Sequence, residues 1–70
     1  MITENDRRLG KQIQRLRKKM GLTQEGLAEK VKLSTKYIQF IETAHRRPSL
    51  KTIQKIARVL NVKAKDLIPF

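Results

Sequence analysis

The sequence predicts an all-α fold, five short helices packed as one compact bundle, and three observations carry that prediction. Apolar residues recur at steps of three and four along most of the chain, the period of a helix with one buried face. The longer periodic stretches are preceded by Ser, Thr or Asn, whose side-chain oxygen accepts one of the unpaired N–H groups at a helix start. No internal repeat, low-complexity run or linker interrupts the pattern, and 70 residues build one small core, so residues 1–70 are expected to form a single domain.

The first helix is expected to be capped by Thr3 or Asn5, with Glu4 and Asp6 placed against the positive end of its dipole. Leu9, Ile13, Leu16 and Met20 mark its buried stripe, and Arg7, Arg8, Lys11, Arg15, Lys18 and Lys19 cover the other faces. Gly21 ends the helix, because glycine enters the left-handed backbone of a C-terminal cap at little cost. Thr23 caps the second helix, which turns Leu27, Ala28 and Val31 inward. A break of three or four residues leads to Ser34, the cap of a third helix whose core positions are Ile38 and Ile41. Two amphipathic helices of about two turns each across so short a break have the spacing of a helix-turn-helix, whose second helix enters the DNA major groove.

The loop Thr43-Ala44-His45-Arg46-Arg47-Pro48 leads to Ser49, which caps a fourth helix with the stripe Leu50, Ile53, Ile56, Ala57 and Leu60. Asn61 suits its C-terminal cap. Val62 and Leu67 bracket a short fifth helix around Ala64 to Leu67, which Pro69 is expected to stop. The apolar end Leu67-Ile68-Pro69-Phe70 suits either folding back on the core or a dimer contact.

Charge then narrows the function. Seventeen Lys and Arg stand against six Asp and Glu, a net +11 and a pI near 10.8, and a polyanion is the default partner of such a surface. Acidic proteins and anionic membranes share that sign. The apolar face of the first helix is narrow and carries no aromatic residue, which argues against a membrane surface, and no stretch approaches the ~20 apolar residues of a spanning helix. With 39% hydrophobic residues in helical register the chain is not a disordered basic tail. Cysteine is absent, so neither a disulfide nor a zinc thiolate holds this small fold and stability must come from packing. The beginning of the chain has no apolar signal segment, and a cytoplasmic location is expected. An enzyme is disfavoured. His45 is the single histidine, no metal-ligand cluster stands out, and Gly10, Gly21 and Gly26 match no phosphate-binding loop. No cofactor and no metal are expected.

The residues Arg17, Gly21-Leu22-Thr23-Gln24-Glu25, Leu27-Ala28, Ser34, Ile38, Ile41-Glu42, Pro48-Ser49-Leu50, Ile56-Ala57 and Leu60 stand in register with the Cro/C1 (XRE-type) helix-turn-helix regulators. The chain resembles that family from about Leu9 to Leu67. The resemblance implies a lambda-repressor-like bundle and a sequence-specific double-stranded DNA-binding regulator, most simply a repressor, with the third helix, about Thr35 to Glu42, in the major groove. It also implies a homodimer, formed through the fourth-to-fifth helix region and tail, or only on DNA.

Register with the family puts Thr35, Lys36 and Phe40 at base edges, and Gln39 lies on the same exposed face. Lysine bonds guanine O6 or N7, threonine offers a hydroxyl or a methyl, and phenylalanine packs on a thymine methyl. An aromatic on a two-turn helix also suits a core or an interface, and for Phe40 those roles stay open beside base contact. Gln24, where free N–H groups and an amide meet, corresponds to a phosphate contact, as does Tyr37. Arg46 and Arg47, next to a helix N-terminus, are expected to form a second phosphate site; Lys51, Lys55 and Arg58 suit a solvated outer face of the fourth helix, and Lys51, in its first turn, also suits that phosphate site. The family pairs Glu42 with Arg17, an ion pair between the first and third helices. Three departures stand out: Gly26 in place of the capping-box glutamate, Lys32 in a turn that prefers glycine, and Ala44 where glycine is usual. A protein- or RNA-binding module is the rival reading, because fold alone does not fix function. Retention of Gln24 and of the basic loop argues for DNA.

Overall fold

The computed structural model describes residues 2–68 and contains five helices: α1 (Glu4–Lys19), α2 (Gln24–Val31), α3 (Thr35–Glu42), α4 (Leu50–Val59) and α5 (Ala64–Leu67). Among the described residues there is no strand. Local chemistry sets each start. The hydroxyls of Thr3, Thr23, Ser34 and Ser49 accept the backbone N–H groups of Asp6, Gly26, Tyr37 and Thr52 at 3.1, 2.9, 3.0 and 3.2 Å. Thr3, not Asn5, caps α1, and Asp6 completes a capping box by accepting the Thr3 N–H at 3.0 Å.

Left-handed backbone sets the helix ends. Gly21 has φ +76 after α1, Asn61 φ 59 after α4, and Lys32 adopts φ 59, ψ 44 at the end of α2. Lysine is thus held where glycine is cheapest, and the Leu33 N–H closes the turn on the Ala28 carbonyl at 2.9 Å. Ala44, at φ 66, keeps the left-handed turn that glycine serves more cheaply, and its methyl is buried in exchange.

The core is one cluster built from every helix: Leu9 and Ile13 of α1, Leu27, Ala28 and Val31 of α2, Ile38 and Ile41 of α3, Ile53, Ile56 and Ala57 of α4, Leu60 just beyond it, and Leu67 of α5. α3 packs between α1 and α2, and α4 lies against α2 and α5. Two stripe positions depart from expectation. Met20 is 48% exposed and Leu50 61% exposed. Both sit at helix ends, and periodicity fixes the direction of a side chain, not whether a neighbouring helix reaches that level. Leu16 is half-buried, and the residue enclosed beside it is Arg17. At the other end Leu67 is fully enclosed and Ile68 packs on the core, so this part of the tail folds back; Pro69 and Phe70 lie outside the described residues.

Gly10 has a role that its sequence context concealed. It is buried where α1 crosses the end of α3, and a Cβ built there would stand 2.6 Å from the carbonyl oxygens of both Ile41 and Glu42. Only a hydrogen fits between the two backbones at this crossing.

Candidate nucleic-acid interface

α3 is held by its inner face. Ile38 and Ile41 are enclosed in the core, and Glu42 meets Arg17 in a two-pronged ion pair, Nε to Oε2 at 2.7 Å and Nη2 to Oε1 at 3.1 Å. The two side chains are 7% and 1% exposed, so each charge depends on the other, and the remaining Arg17 nitrogen donates to the Leu22 carbonyl at 2.8 Å. Gln24 joins them through Nε2, which donates to Glu42 Oε1 at 3.0 Å. A site predicted to face phosphate is thus also tied, by its amide nitrogen, into the link between the first three helices. Identity at position 24 gives no sign of that tie, because the partner lies 18 residues away.

The outer face of α3 carries Lys36 and Gln39, both exposed, with Thr35, Tyr37 and Phe40 half-buried. Tyr37 leans on the core. Phe40 does not enter it: the Lys36 Nζ lies 5.9 Å from its ring centroid and the His45 ring 6.2 Å away at 50°. Cation and ring attract at that separation, so Lys36 and Phe40, one helical turn apart, support each other's orientation. Glu42 is the only acid of α3, and it is buried. The surface that α3 presents outward therefore carries no negative charge.

The loop after α3 folds onto the helix it leaves. The N–H groups of His45 and Arg46 both donate to the Phe40 carbonyl, at 2.8 and 3.1 Å, and Thr43 Oγ1 donates to the Gln39 carbonyl at 2.8 Å. His45 Nδ1 sits 2.8 Å from Thr43 Oγ1, the setting of a polar loop residue. Arg46 is exposed and has no side-chain partner among the described residues. Arg47 is differently placed: its Nε and Nη2 fork onto Asp6 Oδ1 and Oδ2 at 2.8 and 3.1 Å, a contact across 41 residues that the sequence reading missed. That guanidinium, then the Thr3 N–H, hold the Asp6 carboxyl well below the usual carboxylate range, while most of the Arg47 side chain stays in solvent. Lys51 is exposed in the first turn of α4. Among the described residues no group of acids and histidines is arranged to hold a metal ion, and no helix is long and apolar enough to cross a membrane.

Two short helices joined by residues 32–34, the second carrying an outward face free of negative charge beside a basic loop, define a helix-turn-helix domain of the DNA-binding type. Comparison with known proteins gives the family: residues 13–67 match the HTH_3 helix-turn-helix model, and the chain belongs to that Cro/C1-type (XRE) family. An HTH-type transcriptional regulator of Archaeoglobus fulgidus is 45% identical over 58 residues, covering 83% of each chain. The restriction-modification controller protein C.AhdI of Aeromonas hydrophila superposes with a TM-score of 0.90 at 31% identity, over 93% of this chain and 98% of that one. SinR of Bacillus subtilis, a regulator of biofilm formation solved in complex with DNA, superposes at 0.80 with 32% identity, over 84% and 95%. The chain is a transcriptional regulator with a helix-turn-helix DNA-binding fold, and not an enzyme.

Proposed function

We propose that the protein is a sequence-specific double-stranded DNA-binding repressor that places α3 in the major groove. The observation that carries this reading is the neutral-to-positive outer face of α3, made possible because Arg17 takes up the charge of Glu42. Thr35, Lys36, Gln39 and Phe40 read base edges. Gln24, Tyr37, Arg46, Arg47 and Lys51 set the docking on phosphates, Gln24 through the free backbone N–H groups at the start of α2 and the second hydrogen of the amide nitrogen that holds Glu42, and Arg47 through the edge of its guanidinium turned away from Asp6. SinR, of the same family and fold, has been solved with DNA, which supports a duplex as the ligand. Occupying a promoter blocks transcription with no further contact, so repression is the simplest output. Two copies, joined through the α4–α5 region, would read half-sites about 34 Å apart.

Selection from random duplex DNA at near-physiological salt, with wild type beside Thr35→Ala/Lys36→Ala, tests the reading. A two-fold symmetric site should emerge for wild type. The variant should lose about 1–3 kcal/mol of discrimination at each affected base pair and keep salt-sensitive binding to all sequences. Weak binding by both proteins, with equal salt slopes and no enriched site, would refute it and favour a protein or RNA partner.

A further inference from the structure

The end of α2 with its cap Lys32 and the second half of α4 flank an open groove of about 200 Å³ whose lining is Lys30, Val31 and Lys32 from one side and Lys55, Arg58 and Val59 from the other. Four of the six side chains are cations, all exposed, and none has a side-chain partner among the described residues. Val59, half-buried, supplies the accessible apolar surface of the floor, with Val31 enclosed in the core beneath. We propose that this groove docks an acidic segment of a partner protein, one that brings carboxylates to the four cations and an apolar side chain to Val59.

Two features favour a peptide over a second contact with nucleic acid. A phosphate backbone offers the valine floor nothing, whereas a peptide supplies charge and apolar surface together. The groove is also set back from the basic loop and the start of α4: Lys55 and Arg58 follow Ser49 by six and nine residues, about 9 and 13 Å along the helix. Lys32, at the left-handed C-cap of α2, adds the fourth cation to the rim. Complementing the α2 dipole accounts for cations at Lys30 and Lys32; it does not account for Lys55, in the middle of α4. No acid lines this groove. Glu29, the nearest acid in sequence, is exposed on α2 outside it.

The test uses the full chain and a fluorescein-labelled peptide of alternating glutamate and leucine, with fluorescence anisotropy at near-physiological salt. A control peptide carries serine in place of leucine at the same charge. Lys30→Glu/Lys55→Glu reverses two rim charges, and Lys11→Glu/Lys18→Glu makes the same change of net charge on the outer face of α1. Wild type should bind the leucine peptide more tightly than the serine peptide. The groove variant should bind it about tenfold more weakly than the α1 variant does, while the two bind a common DNA duplex alike. Equal loss of peptide in both variants would reduce the effect to net charge and overturn the proposal. So would failure of wild type to distinguish the peptides, or failure to bind either. A groove variant that loses duplex while the α1 variant keeps it would make the groove a nucleic-acid site. Circular dichroism of each variant verifies folding. Because duplex binding is measured on the same samples, the DNA-binding reading stands or falls separately.

Discussion

Replacing Gly10 by alanine sets two physical effects of opposite sign against each other. Gly10 lies in the middle of a sixteen-residue helix, where propensity alone makes alanine more stable by about 1 kcal/mol. At this position, however, the added methyl meets two carbonyl oxygens at 2.6 Å and the Glu42 carbonyl carbon at 3.0 Å, all of them backbone atoms at the end of α3. Relief requires the two helices to separate, and overpacking of this kind costs about 1–3 kcal/mol. The approach is to main chain on both sides, which puts the cost in the upper part of that range and the net effect at about 1–2 kcal/mol of destabilisation. For a domain of this size that lowers the melting temperature by about 4–16 °C. Gly26→Ala is the companion measurement. Its methyl would meet only the Thr23 hydroxyl at 3.2 Å and a Leu22 methyl at 3.7 Å, so propensity should prevail and stability should be unchanged or higher. Urea and thermal denaturation of both variants decide the matter. A Gly10→Ala protein as stable as wild type, or more so, would refute the claim that α1 and α3 meet backbone to backbone.

Arg17→Met leaves the Glu42 charge buried with only the neutral Gln24 amide against it and should cost about 3–5 kcal/mol, most of it recovered in Arg17→Met/Glu42→Leu; a double-mutant cycle by urea denaturation measures the recovery, and its absence would count against the pair as the source of the loss. Lys32→Gly should raise stability by about 1 kcal/mol by relieving left-handed strain, and a lower denaturation midpoint would contradict that assignment. The Asp6 carboxyl is held below its ordinary range by the Arg47 fork, so its contribution is complete above an unfolded carboxylate's pKa of about 3.9 and is lost as pH falls below that value toward the folded one. Asp6→Asn should therefore flatten the acid limb of the denaturation midpoint below about pH 4, and an unaltered limb would exclude this linkage.

The helices were legible because their determinants are local. A hydroxyl at Thr23, Ser34 or Ser49 acts on an N–H three residues on, and the apolar period fixes which side of each helix turns inward. Met20 and Leu50 misled because the same period continues past the point where a neighbour covers it. Gly10 was opaque for a related reason: nothing in its own stretch reveals that another backbone passes at van der Waals distance. The outward face of α3 could be anticipated from the two isoleucines that fix its inward one. The engagements of Gln24 with Glu42 and of Arg47 with Asp6 could not, since each joins residues brought together only by the packing of whole helices. A chain with an excess of cations has few carboxylates to share, and sequence alone does not say which of them each cation finds.

The crossing at Gly10 has a mechanical side. α3 is fastened at its far end by the carbonyl contacts there and by the forked ion pair, and at its near end by the tight turn through Lys32 and the Ser34 cap. A two-turn rod gripped at both ends cannot pivot on its own. Any adjustment of its angle against a binding partner has to be made by tilting the entire bundle or by distorting the partner. For the proposed docking of α3 on a duplex, compliance would reside in the DNA, and sequences that bend easily would be favoured at positions the protein never touches.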